Sequence, residues 1–217
     1  MSLAKVLSTK KLTQAQKELL LNANISFVEA NFIKIKPIID FKSELNIENA
    51  IFTSKNAVET ILKREIKINN CFCVGDKTEE ILVKNGITIS EKAYQAKALA
   101  EKIIKNHSNK EFTFFCGDKR REELPVLLKK HNINLNEVEV YKTELTSMQI
   151  DGDFDGVLFF SPSAVQSYVL RNEFEDTTVF CIGKTTETEA KKYTNNIITA
   201  NKTTIENVIV QVVKHFQ

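Results

Sequence analysis

Two stretches of this sequence occur twice at almost one spacing. Phe52-Thr53-Ser54-Lys55-Asn56-Ala57-Val58 returns as Phe159-Phe160-Ser161-Pro162-Ser163-Ala164-Val165, displaced by 107. Phe72-Cys73-Val74-Gly75-Asp76-Lys77-Thr78-Glu79 returns as Phe180-Cys181-Ile182-Gly183-Lys184-Thr185-Thr186-Glu187, displaced by 108. A shared displacement of about half the chain marks a duplicated unit. The 217 residues therefore predict two lobes of one design. A lobe of about 110 residues still buries roughly two thirds of its unfolded surface, enough for its own core.

Within each lobe, short apolar runs alternate with helical patterns. Val6-Leu7, Ala50–Thr53, Cys71–Val74, Phe112–Cys116, Gly156–Phe160 and Val179–Ile182 read as strands. Thr13–Asn22, Asn56–Lys63, Lys77–Asn85, 97–107, Arg120–His131, Ser163–Arg171, Thr186–Thr194 and 204–216 read as helices, with Thr13 as an N-cap and Gly86 at a helix C-terminus. Strands apolar at nearly every position are buried on both faces. Strand–helix alternation of this kind predicts an α/β fold in which each lobe is a parallel sheet flanked by helices. Asn31–Pro37 and Val138–Thr143 are extended and share an alternation, so both are expected to cross between lobes. The expected organisation is one discontinuous lobe of 1–34 and 146–217, a second lobe of 38–137, and a two-stranded linker of 35–37 and 138–145.

Charge excludes some functions. Thirty basic residues stand against 28 acidic ones, net +2, interspersed along the chain. That is not the profile of a nucleic-acid binder. The longest basic cluster, Lys119-Arg120-Arg121, is followed at once by Glu122 and Glu123, so an anion would be held locally. No apolar run approaches the roughly 20 residues that span a bilayer, and Met1–Lys5 lacks a signal-peptide core, which predicts a cytoplasmic protein. Cys71, Cys73, Cys116 and Cys181 all sit in strand-like runs and read as buried free thiols. They and His107, His131 and His215 form no metal-ligand spacing. Asp151, Asp153 and Asp155 lack the terminal Glu of a calcium loop and read as a solvated turn.

Chemistry is expected where strands end. Gly75, Gly117 and Gly183 each follow an apolar strand and precede a helix, and ligands of open parallel sheets bind at such turns. Ser54, Thr78, Ser161, Ser163, Thr185 and Thr186 gather there. Taken singly, each hydroxyl is accounted for by N-capping. Taken together, on two lobes whose turns face each other, they would line a cleft with hydroxyls and helix N–H groups suited to a polyanion. Nucleotide fingerprints are absent, and neither Ser54 nor Ser161 sits in a nucleophile elbow. Alternation in Val138–Thr143 places Val138 and Val140 on one face and Glu139, Tyr141 and Thr143 on the other. Tyr141 is then either a half-buried strand tyrosine or a phenol that donates to a leaving hydroxyl.

The series around Ser54, Gly75–Thr78, Gly117–Arg120, Val140–Thr143, Phe160–Ala164 and Ile182–Thr186 resembles the uroporphyrinogen-III synthase family, in order across nearly the whole chain. The resemblance implies two α/β lobes on a two-stranded linker, the first discontinuous. It implies closure of the linear tetrapyrrole hydroxymethylbilane to uroporphyrinogen III, with loss of water and inversion of the terminal ring through a spiro intermediate. It implies no metal or organic cofactor, and no nucleic-acid or membrane partner. A monomer that receives its polycarboxylate substrate by transient hand-over from hydroxymethylbilane synthase is expected. Tyr141 matches the tyrosine that assists departure of the hydroxyl. Thr78 and Thr186 match threonines of the binding turns, with Ser54, Ser161, Ser163 and Thr185 alongside; Gly75, Gly117 and Gly183 are expected to bind substrate as the turn glycines, and Lys55 and Lys184 by pairing with its carboxylates. The alternative is a non-catalytic two-lobe module that binds a tetrapyrrole or another small polyanion.

Overall fold

A computed structural model describes residues 3–217. In chain order the elements are β1 (Lys5–Ser8), α1 (Gln14–Leu21), β2 (Ser26–Glu29), β3 (Ile33–Pro37), β4 (Asn46–Phe52), α2 (Lys55–Ile61), β5 (Lys67–Val74), α3 (Asp76–Lys84), β6 (Ile89–Ala93), α4 (Ala96–Asn106), β7 (Phe112–Gly117), α5 (Glu123–Lys130), β8 (Leu135–Leu145), β9 (Gly156–Phe159), α6 (Pro162–Tyr168), β10 (Thr178–Cys181), α7 (Lys184–Ala190), β11 (Ile197–Thr199) and α8 (Ile205–Phe216). The chain divides into two compact units. One comprises the residues up to Lys34 with Glu144–Gln217, the other Ile35–Thr143. The class is the expected one: parallel sheets flanked by helices.

The continuous unit carries the sheet order β3-β8-β7-β4-β5-β6, and the discontinuous unit β11-β10-β9-β1-β2. Setting β3 aside, the two orders superpose. β4-α2-β5-α3-β6-α4-β7-α5-β8 runs continuously, while β9-α6-β10-α7-β11-α8 closes the chain and β1-α1-β2 opens it. The pairs β4–β5, β4–β7, β5–β6 and β7–β8 are parallel, as are β1–β2, β1–β9, β9–β10 and β10–β11.

Each sheet is sandwiched because its central strands have no polar side. In the continuous unit Phe52, Cys73, Phe115 and Val140 face α2 and α3, where Ala57, Val58, Ile61 and Leu82 cover them. Their neighbours Ile51, Phe72, Phe114 and Cys116 face α4 and α5 through Leu99, Ile103, Leu124 and Leu128. In the other unit Leu7, Phe159 and Cys181 meet α6 and α7, and Val6, Leu158 and Phe180 meet α1 and α8. Each fully buried Phe or Leu contributes roughly 1.5–3 kcal/mol. The helices start where the sequence says they should. Thr13 accepts from the amide of Gln16 while the Gln16 side chain returns to the Thr13 amide, a reciprocal cap. Thr204 caps α8 in the same way without the return bond.

Three local points differ from the sequence reading. The edge strands β6 and β11 were not expected, since their residues are polar or only partly buried. Of the extended piece Asn31–Pro37 only Ile33–Pro37 is strand, and this β3 lies in a different sheet from the preceding β2. α5 begins at Glu123 instead of Arg120, because Arg120 is held in the preceding loop by Glu122 and Glu137. Among the described residues no helix is long and apolar enough to cross a membrane.

All four cysteines are buried and free. Burial pushes Cys73 up to about 11 and Cys116 and Cys181 to about 12, with Cys71 raised further. The unfolded thiols ionise near pH 9 while the folded ones stay protonated. The unfolded state therefore binds fewer protons above pH 9, and stability falls as pH rises. Urea midpoints are expected to be flat from pH 7 to about 9 and to drop steadily above it. In native protein at pH 8 all four thiols should resist a thiol reagent until urea is added. A thiol that reacts rapidly without urea contradicts this packing.

Candidate functional site

In the continuous unit the sheet order read along the chain, starting from β4, is 3-2-1-4-5. The strand order reverses between β4 and β7, and ligands of such sheets sit beyond the carboxyl ends of the strands at that reversal. Thr53-Ser54 leaves β4 there, and Gly117 ends β7 there. Ser54 is extended and caps α2, its hydroxyl accepting from the amide of Asn56 at 3.2 Å. The same oxygen accepts from the phenol of Tyr141 at 3.1 Å.

Gly117 is what lets the phenol reach it. A β-carbon on Gly117 would overlap the Tyr141 ring, at 2.8 Å from the hydroxyl oxygen and closer still to Cε2 and Cζ. Tyr141 arrives on that side through a register shift. Cys116 stands opposite Glu139, but Gly117 stands opposite Tyr141, so β8 spends two residues on one step of β7. Strict alternation would set Tyr141 opposite to Val138 and Val140. With the bulge it packs against the same core cluster as both. This corrects the alternation drawn from sequence. The amide of Asp118 then bonds the Tyr141 carbonyl at 3.2 Å, and the Asp118 carboxylate accepts from the amide of Thr143 at 2.9 Å. Burial raises the Tyr141 phenol above its ordinary value, opposed by the hydrogen bonds to Ser54 and Asn56. At neutral pH the phenol is protonated, a donor and not a base.

Gly75 joins β5 to α3 at φ +86°, a backbone that L side chains rarely adopt, with open space where a β-carbon would sit. Its amide bonds the Ala93 carbonyl of β6 at 2.9 Å. Thr78 lies in the first turn of α3, 5% exposed. Lys55 is exposed and pairs along its helix with Glu59 at 3.6 Å, a surface contact of little worth. Thus Ser54, Gly117 and Tyr141 are in direct contact. Gly75 and Thr78 occupy the next turn of the same sheet edge.

The discontinuous unit repeats the frame with other side chains. Its reversal lies between β9 and β1. Ser161 caps α6 by accepting from the Ala164 amide at 3.2 Å, with Pro162 in the first turn. Ser163 is 8% exposed and faces the core. Gly183 is fully extended, φ 175°, and a β-carbon there would touch Thr203 at 3.0 Å. Thr186, in the first turn of α7, is 1% exposed, while Lys184 reaches into solvent and pairs with Glu187 at 3.6 Å. Thr185 is exposed. Two positions escaped the sequence reading. Ser8 and Thr9 end β1 at this reversal, and Thr9 donates its hydroxyl to the Leu158 carbonyl at 2.7 Å. The signal was a hydroxyl pair immediately after an apolar strand. Among the described residues no three His, Cys, Asp or Glu side chains are grouped to share a metal ion.

Gly117→Ala is expected to push the phenol off Ser54 and toward water. Spectrophotometric titration should then show one more tyrosine ionising near 10 than in wild type. An unchanged titration would place the ring elsewhere. Gly75→Ala should cost about 1–3 kcal/mol in urea unfolding from backbone strain alone, and Gly183→Ala distinctly less. Equal losses would contradict the two glycine conformations.

A family model described as uroporphyrinogen-III synthase HemD matches residues 14–209. The porphyrin biosynthesis protein HemD of Ruminiclostridium josui is 22% identical over 182 residues, 73% of this chain and 36% of that protein. The chain thus spans little more than a third of that curated relative. The crystal structure of uroporphyrinogen-III synthetase from Helicobacter pylori has a TM-score of 0.77 at 16% identity, covering 98% of this chain and 100% of the other. A mutant uroporphyrinogen III synthase from Thermus thermophilus has a TM-score of 0.61 at 10% identity, covering 98% of each chain. At these identities the structures establish a shared fold, and the sequence match over 14–209 establishes the kinship: the chain belongs to the uroporphyrinogen-III synthase family.

Proposed function

We propose that the chain cyclises hydroxymethylbilane to uroporphyrinogen III, releasing water and inverting the terminal ring. Family membership supports cyclisation within tetrapyrrole biosynthesis. The observation that carries the finer reading is the protonated phenol of Tyr141, hydrogen-bonded to Ser54 beside Gly117 where the strand order reverses. Breaking the carbon–oxygen bond of the hydroxymethyl group would release hydroxide unless a proton follows. A phenol that donates to Ser54 in the free protein can turn that donation to the leaving oxygen, and water departs. Closure first forms a carbon–carbon bond at the substituted carbon of the terminal ring, giving the spiro intermediate. The older bond from that carbon to its bridging carbon breaks and re-forms at the free ring carbon, which inverts the ring, and the proton lost from that carbon restores the phenol. The balance is one bilane in, one macrocycle and one water out.

The barrier to losing that hydroxyl is low, so geometry matters more than reactivity. Holding a flexible bilane in one reactive arrangement supplies several kcal/mol. Fixed backbone at the strand ends suits that task. Ser54, Lys55, Gly75, Thr78 and Gly117 of one unit, and Ser161, Ser163, Gly183, Lys184, Thr185 and Thr186 of the other, are the proposed binding positions. The buried Thr78, Ser163 and Thr186 would act by fixing the first helical turns, whose amides meet the substrate. The proposal carries with it a cytoplasmic monomer without cofactor that takes its substrate from hydroxymethylbilane synthase.

Incubation with hydroxymethylbilane and separation of isomers tests this. Type III product at a protein-dependent rate is expected. Type I product alone, at the spontaneous rate, refutes it, and tight binding without turnover would leave a binding module. Tyr141→Phe should slow turnover by about 10²-fold, the low end for a general acid. Ser54→Ala, which keeps the phenol but frees it, should cost less. An unaltered rate in Tyr141→Phe removes the phenol from the mechanism.

A further inference from the structure

The turn after Gly75 carries a feature that suits a polycarboxylate poorly. Asp76 and Glu79 both lie in the first turn of α3, beside the proposed binding residues Gly75 and Thr78. Two carboxylates there repel a substrate carboxylate. One side chain answers both: the ammonium of Lys92, near the end of β6, lies 2.6 Å from Asp76 Oδ1 and 2.5 Å from Glu79 Oε2. Its position is built, not casual. Lys92 sits opposite Cys73 in the sheet, its side chain is only 24% exposed, and its ammonium lies 5.3 Å from the Tyr94 ring. Lys102 donates to its carbonyl at 2.9 Å. The next residue, Ala93, accepts the Gly75 amide. The same strand end thus braces both the glycine and the helix that follows it.

The duplicated unit gives an internal control. Glu79 corresponds to Glu187, 108 residues on, and the end of β6 to the end of β11. In that unit the strand-end residue is Thr199, whose hydroxyl donates to Glu187 Oε2 at 2.9 Å. Asp76 is there replaced by Lys184. Glu187 is also met by the ammonium groups of Lys191 at 2.6 Å and Lys184 at 3.6 Å, both from its own helix. Each first turn thus has its carboxylates offset by lysine, from the helix itself in one unit and from the neighbouring strand in the other.

We propose that Lys92 is a positioning residue that sets affinity for an anionic substrate, by offsetting one of the two negative charges of Asp76 and Glu79 so that the Gly75–Thr78 turn accepts a carboxylate. This deepens the functional reading above and rests on it. Lys92 touches neither the reacting atoms nor the leaving hydroxyl, so its loss should move KM and spare kcat.

The test is steady-state kinetics on hydroxymethylbilane at low and high salt. Lys92→Met is expected to raise KM about tenfold with kcat retained, as one uncompensated charge does at such range. Lys92→Arg should stay near wild type. Asp76→Asn combined with Lys92→Met should recover most of the loss, and added salt should lower the KM of Lys92→Met toward wild type through screening. If Lys92→Met does not fold, Asp76→Asn alone decides, with a KM below wild type expected. The proposal is overturned by an unmoved KM in Lys92→Met, or by a rise that neither salt nor Asp76→Asn relieves, or by a KM in Asp76→Asn that fails to fall. Wild type that forms no type III isomer overturns the functional reading and this role with it. An active wild type with any of the other adverse results overturns the role of Lys92 alone.

Discussion

The central strands of both sheets are apolar on both faces, and that constraint governs where anything else can happen. Successive residues such as Ile51 and Phe52, Phe114 and Phe115, or Leu158 and Phe159 enter opposite cores. Such a strand cannot meet water on either side, so helices must cover both. Once they do, no polar side chain can be presented from the middle of a strand without being buried unpaired. Chemistry is confined to strand ends, where helix amides are unsatisfied and loops can diverge. The hydroxyls and glycines collect there because the fold leaves them nowhere else.

One such end depends on a missing atom. Gly117 has no β-carbon, and the Tyr141 ring occupies the space. The bulge in β8 turns Tyr141 onto the face of α2, and the N-cap of α2 supplies the oxygen that accepts its hydrogen bond. Three separate local features, a bulge, a glycine and a capping serine, must coincide for that phenol to be where it is. The Ser54 hydroxyl therefore serves both the helix and the phenol. N-capping and the contact with the phenol are not rival accounts of Ser54; one fixed oxygen makes both bonds.

The frame was readable from sequence because its signals are local or repeated. Doubly apolar strands, the Thr13 cap and the left-handed Gly86 depend on near neighbours alone. What escaped depended on tertiary context. β6 and β11 are edge strands whose residues Ser90, Glu91, Lys92 and Thr199 carry no apolar pattern, and only the strand beside them makes them strands. Tyr141 was assigned the wrong face because a bulge leaves no mark in alternation. Thr78, Ser163 and Thr186 were counted as turn hydroxyls with no hint that they face inward. The ion cluster at Lys92 joins residues that sequence separates by more than a dozen positions, with nothing local to connect them.

Duplication explains why the two units can share a frame and differ at its working edge. The frame is held by apolar strand pairs, which tolerate exchange so long as both faces stay apolar. The strand ends carry no such requirement, so they have diverged. Opposite Tyr141 stands Gly117, whereas the matching place between β1 and β2 pairs Ser8 with Glu29. Glu29 is committed there to Lys17 at 3.0 Å and to the amide of Leu12 at 3.3 Å, holding the start of α1. The same position thus serves structure in one unit and offers a protonated phenol in the other. Neither copy alone carries every feature: the phenol and its glycine belong to one, while a first helical turn in which an exposed lysine pairs with a single carboxylate belongs to the other. Two copies of one fold let the strand ends carry different side chains, with neither set compromising the core beneath it.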